Sequence, residues 1–259
     1  MFFLLIFLFG ICVGSFLNVV IDRTAQGRSI VKGRSACDFC HHVLSWYDLV
    51  PVASFLFLLG KCRYCQKKLS WQYPLVELAT GSLFVLLTQF SVFSSQFSIG
   101  SVLDLVFLFS IMSSLIVLFM TDLKYEILPD SIVVFGIVCA ALYMVFVTNT
   151  LILNHFLSGI FASLFFLLLY LATKRRGMGF GDVKLAILLG FFVGFPSIFL
   201  AIYLAFLTGA VVGIILIVAK KKKFKGDRIP FGPFLIGGTI VCFFFGQQLW
   251  QITLRLLGL

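Results

Sequence analysis

Residues 2–23, FFLLIFLFGICVGSFLNVVIDR, form an apolar run that meets its first arginine only at its end. A secretory leader would carry basic residues before the apolar stretch. This run lacks them and reads as a retained first transmembrane helix with its N-terminus outside. A helix needs about 20 apolar residues to cross the hydrocarbon core, whereas barrel strands are shorter and alternate in polarity. The run is continuous rather than alternating, and similar runs recur along the chain. Gly14, Ser15 and Asn18 put small and polar residues where a neighbouring helix could approach closely.

Composition extends this reading to all 259 residues. Of these, 61% are hydrophobic and only 12% charged, with a mean hydropathy of +1.13. A soluble domain carries about 25% charged residues. The fold class is an all-α polytopic membrane protein of about eight transmembrane helices. The expected spans after the first begin near Tyr73 and then cover about 101–121, 131–148, 152–173, 182–195, 197–219 and the stretch after Pro230. The net charge of +10 does not point to nucleic acid, because the basic residues lie between the apolar runs. With the N-terminus outside, every basic cluster except Arg255 falls on the cytoplasmic side, as orientation by positive loops requires.

The one sizeable polar segment, 24–72, is too short to bury a core unaided. It holds Cys37-Asp38-Phe39-Cys40 and Cys62-Arg63-Tyr64-Cys65. Two C-x-x-C pairs offer four thiolates to one tetrahedral zinc ion, leaving no open position for chemistry. A disulfide framework is the rival, disfavoured in a reducing cytoplasm. His41 and His42 could replace a cysteine or lie on the surface. Cys12, Cys139 and Cys242 sit in apolar runs as small packing residues. Glu77, about one turn into the second span, is either a polar contact in the bundle or part of a ligand site between the zinc module and the membrane.

Gly177-Met178-Gly179-Phe180-Gly181-Asp182-Val183-Lys184 places an acid just before an apolar run. A charge within the membrane costs about 2.5–3.5 kcal/mol on insertion scales, so its retention calls for a partner or a task. Asp122 closes the third span as Asp182 opens the sixth, which sets both at one face and one depth. Two carboxyls in a partly dry site share a proton, one acting as base toward water and the other as acid. Gly179 and Gly181 would give unusual backbone angles and room for an extended substrate. Lys184 would pair with an acid or with lipid phosphate. Asp130 is the competing second acid, assigned instead to capping the fourth helix.

Taken together, GSFLNVVIDR, LSWYDLVPVASF, GKCRYC, SWQYPLVELATG, TDLKYEILPD, GMGFGDVKL and RIPFGPFL resemble the bacterial type IV prepilin leader peptidases. These are bifunctional peptidase/N-methyltransferases of the GxGD aspartic class, and the resemblance covers nearly the whole chain. It implies Asp122 and Asp182 as catalytic residues and Cys37, Cys40, Cys62 and Cys65 as the metal tetrad. It further implies cleavage of prepilin or pseudopilin leaders after a glycine, then N-methylation with S-adenosylmethionine. By the same resemblance Gly60, Lys61 and Glu77 take part in methylation. The implied division is 1–92, first helix, zinc module and second helix with the methyltransferase, and 93–259, the peptidase, in the bacterial inner membrane. Asp38 stands where the family often has proline. The alternatives are a peptidase without methyltransferase activity, a proton-coupled transporter, or a noncatalytic scaffold.

Overall fold

The computed structural model describes residues 1–94, 99–147, 152–174, 178–219 and 230–256. Among them the chain forms α1 (Phe2–Ala25), a single 3-10 turn (Trp46–Leu49), a short α2 (Ala53–Phe57), then α3 (Gln72–Ser94) and α4 (Ile99–Tyr125). There follow α5 (Asp130–Phe146), α6 (Ile152–Ala172), α7 (Phe180–Val193), α8 (Ser197–Val218) and α9 (Gly232–Leu256). The eight apolar helices occur in the expected order. Six of them, α1, α3, α4, α6, α8 and α9, are long and apolar enough to cross a membrane. The other two, α5 with 17 residues and α7 with 14, rise only about 26 and 21 Å at 1.5 Å per residue, short of a 30 Å core. The lysine-rich stretch 220–228, and Gly177 of the glycine turn, lie outside the described residues.

The chain divides into two compact units, Met1–Val117 and Leu118–Leu259, with α4 running from one into the other. In the first unit α1 packs along α3. Their backbones nearly touch: a Cβ on Gly10 would lie 2.7 Å from the Gly81 Cα, and one on Gly14 would lie 2.7 Å from the Glu77 Cα. Any larger residue would drive the pair apart, so these small residues set the spacing. Asn18 then ties the last part of α1 to the start of α3. Its amide donates to the Tyr73 carbonyl at 3.1 Å, and its carbonyl oxygen accepts from the Gln72 amide at 3.4 Å.

Between α1 and α3 the polar segment has almost no apolar interior, its buried apolar side chains being Cys37, Phe55 and Cys62. Polar contacts organise it instead. The Arg23 guanidinium donates to the carbonyls of Ser29, Ile30, Lys32, Gly33 and Arg34, at 3.0–3.3 Å, which folds that loop back on the end of α1.

In the second unit α7 is the central helix, packed against α5, α6, α8 and α9. Its buried residues (Val183, Leu185, Ala186, Leu188, Leu189, Gly190 and Phe192 among them) cover most of its circumference, leaving Lys184, Ile187 and Phe191 as a partly exposed stripe. A helix apolar all round belongs inside a bundle. Covered by other helices over most of its surface, it need not match the bilayer thickness. Its contact with α6 is set by Gly190, where a Cβ would lie 2.5 Å from the Gly159 Cα. Its far end is held by α6: Asn154 accepts from the Phe195 N–H at 2.6 Å and donates to the Phe195 carbonyl at 3.2 Å. These contacts fix α7 along its axis, and with it the position of Asp182 in its first turn.

Candidate active site and metal centre

Asp122 lies in the last turn of α4 and Asp182 in the first turn of α7, and each is only 7% exposed. They are close enough for the charge of Asp122 to act on Asp182. Oδ2 of Asp122 is buried without a hydrogen-bond partner. A buried carboxyl oxygen left unpaired costs about 1–3 kcal/mol, so such an atom calls for a functional explanation.

A third element completes the surroundings. Gly232 is the first residue of α9, and its backbone N–H points at the Asp122 carboxyl. The partial positive charge of a helix N-terminus suits an acid there. There is no room for a side chain, since a Cβ on Gly232 would lie 2.5 Å from Asp122 Oδ2. In the sequence, Pro230-Phe231-Gly232-Pro233 reads only as the start of a span. The signal it offered was a glycine beside prolines at a helix start, which does not reveal which acid the helix would face.

The glycines of the turn do not take the unusual backbone angles that the sequence suggests. Gly179 is extended at φ −79°, and neither it nor Gly181 has a positive φ. What they supply is space. A Cβ on Gly181 would meet the Leu128 side chain at 2.9 Å, and the nearest atom to a Cβ on Gly179 would be Asp182 Oδ2 at 3.8 Å.

Asp130 does not cap α5. Pro129 is the cap residue, Asp130 is the first helical position, and no side-chain cap bond forms. Its carboxylate instead takes the Lys184 ammonium at 2.7 Å. This answers which acid Lys184 meets and leaves Asp130 70% exposed, pinning the start of α5 to the start of α7.

In the first unit the four thiols of Cys37, Cys40, Cys62 and Cys65 lie within 4.8 Å of one another, a group able to hold a metal ion. Cys37 Sγ and Cys65 Sγ are 3.9 Å apart. That is close to the roughly 3.8 Å edge of a tetrahedron with 2.3 Å zinc–sulfur bonds, and far from a 2.05 Å disulfide. The two knuckles repeat one turn. Cys37 N–H donates to His42 and His41 N–H to Cys37; Cys62 N–H donates to Lys67 and Gln66 N–H to Cys62. His41 and Gln66 occupy equivalent left-handed positions, φ 54° and 57°. His41 therefore shapes the turn. His42 stacks on Tyr64 with ring centroids 3.7 Å apart, and neither histidine joins the thiol cluster.

The second knuckle is clamped from outside. Asp48 accepts from Arg63 at 2.7 Å, from the Tyr64 hydroxyl at 3.1 Å and from the Ser45 N–H at 3.2 Å. Burial opposes the Asp48 charge, but these donors outweigh it and hold its pKa below the usual carboxylate range. At Cys62 burial is likewise overcome, by the N–H groups of Cys65 and Tyr64 and by neighbouring thiols, which bring the pKa down to about 7. A thiolate is the form that ligates a metal.

Beside the knuckles, α1 and α3 enclose a cavity of about 450 Å³ reached by Asp22, Asp38, Tyr73, Glu77 and, from the loop, Arg28 and Arg34. Glu77 is 6% exposed. It accepts from the Val52 N–H at 2.7 Å and meets the Ser15 side chain, so it joins the module to both helices.

Residues 8–90 match the family model described as Bacterial Peptidase A24 N-terminal domain, and residues 108–214 match that of the Type IV leader peptidase family. The chain is 31% identical to the Prepilin leader peptidase/N-methyltransferase of Pseudomonas aeruginosa, covering 97% of this chain and 93% of that protein. It is 29% identical to the protein of that name from Bacillus subtilis over 97% of this chain and 98% of the relative. A third, from Myxococcus xanthus, is 37% identical over 85% of this chain and 64% of its own length. No solved structure shows a significant match. With both family models matched in order and near full-length relatives above 30% identity, the chain belongs to the type IV leader peptidase family.

Proposed function

We propose that this chain is a bacterial inner-membrane enzyme that removes the leader from type IV prepilins or pseudopilins and then N-methylates the new terminus. The observation that carries the peptidase reading is the pair of buried acids, Asp122 and Asp182, on two helices of one unit, with one Asp122 oxygen unpartnered. Such a pair cannot carry two charges cheaply and holds one proton between its members. The ionised member takes a proton from water as it attacks the scissile carbonyl. The protonated member polarises the carbonyl oxygen and its proton passes on to the leaving amine. The Gly232 N–H at the start of α9 keeps the Asp122 carboxyl oriented.

Substrate and membrane side come from the relatives' names and from charge. Prepilins present a basic leader followed by an apolar helix. The basic clusters of this chain support an outside N-terminus and both aspartates at the cytoplasmic face. The functional division we favour is 1–92 for methylation and 93–259 for hydrolysis.

The four cysteines fit zinc in donor type, number and spacing. When bound, zinc would supply a closed tetrahedral crosslink between the knuckles, and the module, nearly without an apolar interior, would depend on it for order. S-adenosylmethionine would serve as the methyl donor.

The test is incubation of the purified full chain with a prepilin and methyl donor, followed by product mass. Wild type should lose the leader mass and gain one methyl. Asp122→Asn and Asp182→Asn should each lower cleavage at least about 10³-fold, within the range of acid–base catalysis, with zinc content unchanged. Cleavage surviving either substitution would refute the dyad.

A further inference from the structure

The polar segment of the first unit carries an apolar surface that its own fold does not cover. Leu56 and Phe57 of α2, and Leu59 just after it, are 60, 87 and 84% exposed. Water disfavours such a group, and contiguous exposed apolar side chains mark interaction surfaces. The rest of α2 faces inward, with Ser54, Phe55 and Leu58 lining the cavity beside the knuckles. The Phe55 ring is held on two sides. Its centroid lies 5.0 Å from that of Trp71, and a Cβ on Gly60 would lie 3.0 Å from its Cζ. With Phe55 fixed inward, Leu56 and Phe57 are left on the outside. Leu59 takes the left-handed conformation, φ 51°, which residues with a Cβ seldom adopt. A leucine thus stands where neither backbone preference nor contact with water favours it.

Two contacts fix the level of this surface relative to α3, which is long and apolar enough to cross the membrane. The Val52 N–H at the start of α2 donates to the Glu77 carboxylate. Side chains on a helix lean toward its N-terminus, so this bond sets α2 beside the first turns of α3. The second contact is Phe55 on Trp71, the residue immediately before α3. Trp71 is itself 67% exposed, and tryptophan gathers at membrane interfaces. Leu75, in the first turn of α3, is 60% exposed, so an apolar environment already surrounds the helix at that level. The surface of α2 continues the lipid-facing surface of α3.

We propose that α2 is an interfacial anchor, with Leu56, Phe57 and Leu59 inserted into the lipid leaflet at which α3 begins. Interfacial segments bury their apolar side chains about 5–10 Å into the boundary between headgroups and acyl chains. Next to the turn, Lys61 and Lys68 pair across an antiparallel bridge, and both are exposed. Cross-strand partners share a face, so the two ammonium groups sit together where lipid phosphates lie. In the orientation proposed above this leaflet is the cytoplasmic one, whose anionic lipids attract basic segments. The anchor holds the knuckles against the bilayer and makes α2 the wall between their cavity and the lipid. It depends on α3 crossing the membrane and on neither enzymatic reading.

The test uses the full chain in nanodiscs of plain or brominated phospholipid. Trp46, Trp71 and Trp250 are replaced by phenylalanine, and Phe57→Trp supplies the only tryptophan. Brominated acyl chains quench a tryptophan only when it reaches them. Emission should fall at least about twofold in the brominated discs, as insertion to the acyl boundary requires, while iodide in the water should quench it weakly. Zinc content and leader cleavage at the level of the unsubstituted chain report that the module and the bundle are folded. Should Phe57→Trp lose zinc, Leu59→Trp in the same background decides by the same readings. Emission that brominated lipid leaves unchanged would overturn the proposal in either of two ways. Strong iodide quenching would show that the surface stands in water, and protection from both quenchers that a protein, a second copy of this chain included, covers it.

Discussion

Substituting Gly232 by alanine tests whether the start of α9 sets the Asp122 carboxyl. The new Cβ would lie 2.5 Å from Oδ2 and 3.2 Å from the carboxyl carbon, whereas ordinary contact begins at 3.4 Å. The Asp122 carboxyl or the first turn of α9 must therefore yield by about 0.9 Å; a misplacement of about 1 Å in a catalytic geometry costs about 10²-fold. That corresponds to about 2.7 kcal/mol of barrier. Alanine is a better helix former than glycine by up to about 1 kcal/mol, so the substitution should not melt the helix. The assay is single-turnover cleavage of a prepilin by saturating enzyme, which isolates the chemical step from binding. Gly237→Ala is the matched control: it lies on the same helix, and nothing approaches its Cβ position within 4 Å. We expect about a 10²-fold slower step for Gly232→Ala and less than a twofold change for Gly237→Ala. A Gly232→Ala rate within threefold of wild type would refute the reasoning.

Asp130→Asn should leave cleavage within about threefold of wild type, because Asp130 is 70% exposed and serves Lys184. Its stability cost, read from thermal unfolding, should stay below about 1 kcal/mol, as for solvent-screened pairs. Asp48→Asn should loosen the second knuckle: with Arg63 47% exposed and the Asp48 side chain 4% exposed, the loss is about 1 kcal/mol. At neutral pH zinc transfer to a chelator should then quicken about fivefold. Because the folded Asp48 pKa is lowered, its contribution is present above the ordinary carboxylate pKa of about 3.9. It disappears as pH falls through the folded value, so the variant and wild type should differ at pH 7 and converge in strong acid. Chelating the metal should disorder the knuckles and abolish methylation before it slows cleavage, measured on one sample by product mass.

How far the sequence could be read differs from residue to residue. Asp122 and Asp182 were legible because an acid at the edge of an apolar run is costly and therefore conspicuous, and the cysteines because ligand spacing is local. Asp130 was equally conspicuous, yet its partner Lys184 lies on a different helix, and helix-start propensity pointed to a cap that does not form. Gly232 carried no charge to draw attention. Its importance is steric, and steric relations between helices appear only when the helices pack. Glu77 stood between two readings until the cavity and the Val52 N–H brought it to the module.

The amino-acid order alone determined that this is a helical membrane protein, the order and approximate extents of its apolar helices, and that two acids and four cysteines require explanation. Hydropathy, spacing and charge are local properties, and the bilayer makes their consequences severe. Only the tertiary structure decided that α7 is central and short, that the start of α9 faces Asp122, and that Asp130 is taken by Lys184. Those outcomes depend on close packing between segments far apart in the chain, where a clearance of less than 1 Å at a glycine sets which groups can meet.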